Sequence, residues 1–164
     1  MTALSAHFTV EEATFSQTAA RAGIDNDPPL NIVMNMKEAA LGMEQVRLKL
    51  NSNAIKVSSW YRCEALEKVI CRDAYRAWCI KHGKADGPTA WAEYFANKAH
   101  PKGFAVDFTC PSYGDVDTVM RTILKSSIQF QQIIREFDSW VHISFDGNAR
   151  QALAIDSKGQ RPFV

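Results

Sequence analysis

Apolar residues recur at helical spacing most clearly between Asn31 and Leu50. Ile32, Met36, Ala39, Met43, Val46 and Leu50 follow at steps of three and four, the period of one helix face. Lys37, Glu38, Glu44, Arg47 and Lys49 fill the other faces, and Asn51-Ser52-Asn53 marks the stop. A shorter helix is predicted to begin at Thr9, with Glu12 three residues on as a capping box. Gly23, Asn26 and the Pro28-Pro29 pair read as a turn-rich connector.

The period then switches. Ile55 and Val57 alternate with polar residues and predict a strand over 54–60. Leu66 to about His82 reads as one helix, with Leu66, Val69, Ile70 and Trp78 as core positions. Gly83 to Pro88 ends it, and a short aromatic helix is expected over 91–98. From 104 to 110, Phe104, Val106 and Phe108 point one way and Ala105, Asp107 and Thr109 the other. A second amphipathic helix is expected over 115–126, its core face made by Val119, Met120, Ile123 and Leu124. Strands are expected over 130–137 and 140–145, with a last one over 152–155. Helices come first and strands later, which predicts an α+β domain: a small antiparallel sheet with helices packed on it.

Composition supports one globular unit. The 164 residues are 46% hydrophobic, enough for a core without staples. A formal charge of +1 argues against a dedicated nucleic-acid binder, which needs a basic face. Residues 31–63 carry five basic and two acidic side chains, which suits an anionic ligand or an ordinary solvated surface. No apolar run approaches a membrane span. No Lys or Arg precedes Arg21, so no secretory leader is read at the start. A monomer made in the cytoplasm, not inserted in a membrane, is the expectation. Cys63, Cys71, Cys79 and Cys110 form no C-x-x-C pair and read as free, mostly buried thiols. A Cys63–Cys71 or Cys71–Cys79 bridge stays open.

The chemistry gathers late in the chain. Asp107 interrupts a strongly apolar strand, and a buried carboxylate needs a partner. His100 lies in the turn just before that strand; His142 lies within Trp140-Val141-His142-Ile143-Ser144-Phe145, opposite its apolar face. Two imidazoles and one carboxylate are a common protein share of a catalytic zinc site. Such a zinc brings the pKa of its water to roughly 7 and polarises a carbonyl. A general base must then stand nearby. Glu136 is the first candidate and Asp138, also an ordinary turn residue, the second. A loop over 138–140 would put Glu136 directly opposite His142; a loop of Asp138-Ser139 would put Arg135 there instead. His7 and His82 read as surface or structural residues.

These residues resemble a known pattern. His100, Asp107 and His142 match the His, six residues, Asp, later His of the LAS-type zinc peptidases. That group includes D-alanyl-D-alanine carboxypeptidases and phage L-alanyl-D-glutamate endopeptidases, and the hedgehog signalling domain shares its fold. Ser58-Ser59-Trp60-Tyr61-Arg62 resembles the S-S-G-Y-R segment, and Gly103-Phe104-Ala105-Val106-Asp107-Phe108 resembles the G-x-A-x-D-F strand. Glu136-Phe137-Asp138-Ser139-Trp140-Val141-His142 is similar to the E-F-x-x-W-V-H of phage members, as are Leu4 to Thr9 and Gly23 to Asn26. The chain departs from the pattern in carrying Trp60 for the glycine and Lys98 for a serine two residues before the first ligand. Ser139 stands where many carboxypeptidases have their base. The long interval from Leu66 to His100 implies an inserted helical segment within 71–91.

The resemblance implies a single catalytic domain over 1–164, without a separate wall-binding domain. It implies one Zn2+ on His100, Asp107 and His142, with Glu136 as base. Arg62 would pair with a substrate carboxylate, Trp60 and Tyr61 would line the cleft or belong to the core, and Ser59 would join Arg62 and Tyr61 in binding substrate. The implied activity is hydrolysis of a peptide bond in the peptidoglycan stem by a phage or prophage endolysin, L-Ala-D-Glu first. A D-Ala-D-Ala carboxypeptidase and a non-catalytic zinc-bearing or virion module are the alternatives. Action on the wall would follow release from the cytoplasm through a lesion made by another protein.

Overall fold

In the computed structural model, which describes residues 1–164, the chain folds as α+β. Helices α1 (Val10–Thr14), α2 (Gln17–Ala22) and α3 (Leu30–Lys49) lead into strand β1 (Lys56–Ser59). Helices α4 (Glu64–Ile70), α5 (Arg72–His82) and α6 (Pro88–Ala96) follow, then a 3-10 turn at His100–Lys102 and β2 (Ala105–Thr109). Helix α7 (Val116–Leu124) precedes β3 (Gln132–Glu136), β4 (Trp140–Ser144), β5 (Gln151–Asp156) and β6 (Gly159–Pro162). No helix is long and apolar enough to cross a membrane.

The strands form one sheet in the order β1-β2-β4-β3-β5-β6. All neighbours are antiparallel except β3 and β5, so the expected antiparallel sheet carries one parallel pair. One sheet face is apolar. Val106, Phe108, Ile133, Val141 and Ile143 join Met36, Ala39, Met43 and Val46 of α3 and Val119, Met120 and Ile123 of α7 in the main core. The other face carries Asp107, Ile134, Glu136, Trp140 and His142 into a cleft. Alternation along β2 therefore sends Val106 and Phe108 into the core and Asp107 into the site.

Local signals explain the boundaries. The Thr9 side chain accepts from the Glu12 N–H, as the capping box requires. Asn51 and Ser52 leave the helical region at positive φ and stop α3. The expected single helix from Leu66 to His82 is instead two, broken at Cys71 (φ −96°, ψ 13°). The break swings α5 outward, and Tyr75, Cys79, Ala90 and Tyr94 of α5 and α6 make a small core of their own. Helix α2 lies just before the stretch read as connector; Ser16 caps its start and Gly23, in the left-handed region, its end. All four cysteines are free.

Gly103 closes the turn that carries His100. Its φ is +81°, and an added Cβ would meet Met36 Cγ at 2.8 Å and the Ile32 carbonyl at 3.1 Å. Gly103→Ala is expected to cost about 1–3 kcal/mol. Gly23→Ala has a similar φ but open space around it, and carries only the backbone part, about 1 kcal/mol. Urea midpoints of the two variants check the difference.

Candidate metal centre

Neighbouring elements bring the three ligand candidates together. Asp107 and His142 are directly paired across β2 and β4, and the 3-10 turn delivers His100 beside them. His142 Nδ1 lies 2.9 Å from Asp107 Oδ1, and His100 Nε2 lies 3.2 Å from the same oxygen. All three residues are buried, and their ligand atoms lie within 4.8 Å of one another. Ligands of a tetrahedral zinc with bonds near 2.0–2.1 Å stand roughly 3.3 Å apart, so the spacing suits such an ion.

The protonation pattern asks for a cation. His100 Nδ1 lies 2.6 Å from the Trp60 carbonyl, which can only accept, so Nδ1 donates. Burial holds the His100 imidazole below its ordinary pKa, against the pull of Asp107, and favours the neutral ring. Its Nε2 then presents a lone pair to Asp107 Oδ1. Two acceptors at that distance repel unless a positive charge lies between them. The Trp60 carbonyl plays the part that an outer hydrogen bond plays for a metal-bound histidine, fixing tautomer and ring orientation. Trp60 is itself pinned, donating from Nε1 to the Gly103 carbonyl at 2.8 Å. Burial alone would raise the Asp107 carboxyl; positive charge on the His100 and His142 imidazoles brings it well below the usual range instead, a part that a bound cation would take over once the rings are neutral.

The other oxygen of Asp107 is held separately. Arg62 Nη2 donates to Asp107 Oδ2 at 2.8 Å, Nη1 lies 3.4 Å from Glu67 Oε2, and Nε donates to Ser59 Oγ at 2.9 Å. Glu67 is only 1% exposed. It also accepts from the Cys71 thiol at 3.0 Å, a proton kept in place because burial and Glu67 push that thiol up to about 11. The network leaves Oδ1 as the free ligand atom.

Glu136 stands on the same sheet face, in a cleft of about 610 Å3 that also holds His100, Asp107, His142 and Arg62. The register differs from both expected loops. Residues 137–139 form the loop, Glu136 pairs with Trp140, and Ile134 lies opposite His142. Phe137 and Asp138 both take positive φ, and the Ser139 N–H closes onto the Glu136 carbonyl, so pairing resumes one residue early. Glu136 is thus two positions along from His142 on its own face, within reach for a long side chain. Burial, reinforced by the Asp107 charge, raises its pKa.

Other candidate residues lie elsewhere. Asp138 is 76% exposed, pairs with Arg135 at 3.1 Å and does not line the cleft. Tyr61 is packed in the main core; its carbonyl accepts from Asn26, which also holds the Cys63 N–H. Ser59 faces the opposite side of Arg62. His7 pairs with Glu44 and His82 with the Trp78 carbonyl, both away from the site. Glu67, Tyr94, Trp140 and Lys98 also line the cleft. None was read from the sequence as part of the site; for Glu67 the only signal was an acid beside Leu66 at the core-facing turn of a helix.

Comparison of the chain with models of known protein families and with curated proteins returned no match. The site therefore speaks through its own geometry, which is that of a possible metal centre.

Proposed function

We propose that the chain is a zinc-dependent peptidoglycan peptidase of the LAS type, a phage or prophage endolysin that cuts a peptide bond of the murein stem. One observation carries this reading: a buried His100–Asp107–His142 set whose ligand atoms converge, with half-buried Glu136 on the same face of one cleft. The motif resemblance adds the substrate class. Zinc bound there supplies Lewis acidity, activating a water and polarising the scissile carbonyl. Glu136 takes the proton of the attacking water and returns it to the leaving amine. Its raised pKa suits a group that must both accept and release a proton. Arg62 orients Asp107. The cleft accepts a stem peptide, and the wall is reached after release from the cell that made the protein.

Digestion of purified murein, followed by mass spectrometry of the products, tests the reading. New amino termini within the stem, lost with chelator and restored by zinc, are expected, with L-Ala-D-Glu as the first bond to inspect. Release of free D-alanine instead identifies a D,D-carboxypeptidase. Retained zinc with no hydrolysis identifies a binding or virion module.

A further inference from the structure

The cleft holds two cationic side chains, and only one is free. Arg62 directs three of its five N–H donors at Ser59, Glu67 and Asp107 and is ion-paired to both carboxylates. Lys98 follows α6 on the opposite wall, two residues before His100, and lines the same cleft. Its Nζ sits 4.0 Å from the centroid of the Tyr94 ring, and no carboxylate lies within ion-pair distance of it. The nearby Lys102 is occupied, donating to the Ala96 carbonyl. Two more polar groups of the wall, Tyr94 Oη and Trp140 Nε1, are buried without a protein partner.

We infer that Lys98 is the residue that anchors a substrate carboxylate in this cleft. The inference rests on the peptidase reading and refines it. The D-glutamate or the terminal D-alanine of a stem peptide would each carry such a carboxylate. The partly buried ammonium, with an aromatic face beneath it, is worth more to an anion than one in bulk water, because the low-dielectric wall strengthens the attraction. The Tyr94 ring holds the ammonium over the cleft without neutralising it. Asp107 and Glu67 hold Arg62 between them, which leaves Lys98 as the basic side chain of the cleft with no ion-pair partner to give up when a carboxylate enters. Tyr94 lies in α6 and Lys98 just after it, so this end of the helical segment would set specificity, not only pad the fold.

The test is calorimetric binding of N-acetyl-L-alanyl-D-glutamate γ-methylamide, whose α-carboxylate is its one charge, and of the same compound with the α-carboxyl also amidated, to zinc-loaded protein carrying Glu136→Gln, which prevents turnover. With Lys98 intact the acid is expected to bind at least about tenfold tighter than the amide. Adding Lys98→Met should remove that preference while leaving amide affinity and zinc content unchanged. Adding Lys98→Arg should restore most of the preference. A preference that survives Lys98→Met, equal weakening of acid and amide, or no preference with Lys98 intact overturns the inference. The peptidase reading fails separately: acid-selective binding without any murein cleavage by the wild type refutes hydrolysis and leaves the carboxylate site standing.

Discussion

His142→Ala is expected to lose the metal and murein hydrolysis together. His142 is paired register-to-register with Asp107, and its Nδ1 is one of only three side-chain ligand atoms that converge. With two ligands left, zinc has no closed protein set. Outer partners of metal ligands already change affinity by roughly 10–100-fold, so loss of a direct ligand should exceed about 100-fold and bring activity to that of chelated wild type. The fold should survive, because the apolar face of β4, Val141 and Ile143, is untouched in the core. Zinc titration and murein digestion of the variant, with circular dichroism alongside, check all three. Equal hydrolysis by wild type and variant would refute the metal reading.

Glu136→Gln should separate binding from turnover. The substitution keeps size and hydrogen-bonding reach but cannot take a proton. Zinc content should stay near one per chain while turnover drops by about 10²–10⁴-fold, the usual weight of a general base. If Asp138→Asn does this instead, the base assignment is wrong, and the exposed position of Asp138 makes that an outcome with no structural route. The glutamate also carries a pH signature. Burial and the Asp107 charge disfavour its ionised form, so its midpoint in the metal-free protein should lie above 4.5. The base form is therefore lost at a higher pH on acidification than for an exposed glutamate. Carbon-13 titration of the Glu136 carboxyl reads this directly, and a midpoint at or below 4.5 would remove the physical basis of its assignment.

Much of the site was legible because strand alternation is strict. In 104–110 the switch of faces at each residue placed Asp107 opposite the core side chains, and the same logic placed His142 on the polar face of its strand. Pairing Asp107 with His142 needed only that the two strands be neighbours. The register of the β3–β4 hairpin was not legible, because it depends on two non-glycine residues, Phe137 and Asp138, taking positive φ. Sequence patterns favour glycine and asparagine there, so Phe137 gave no turn signal. Strand β6 was invisible for another reason: Gly159–Pro162 is exposed throughout and has no apolar alternation to read. The break at Cys71 was hidden by a helical pattern that runs on across it. The Arg62–Glu67 pair was missed because a helix acid is read as solvated by default, whereas this one faces inward beside Leu66.

The resemblance pointed to Arg62 as the carboxylate clamp, while the packing around it points elsewhere. A guanidinium held by Ser59, Glu67 and Asp107 is 13% exposed and acts first on the ligand beside it. This is a consequence of Glu67, whose buried charge would be costly without that partner.

X-ray absorption at the zinc edge, on protein loaded with one equivalent, addresses the metal centre most directly. The geometry calls for one tightly bound ion whose shell contains two imidazoles and a carboxylate oxygen, with nitrogen and oxygen near 2.0–2.1 Å and no sulfur. A sulfur shell near 2.3 Å, from any of the four free cysteines, or failure to retain zinc at all, would show that His100, Asp107 and His142 do not form the site.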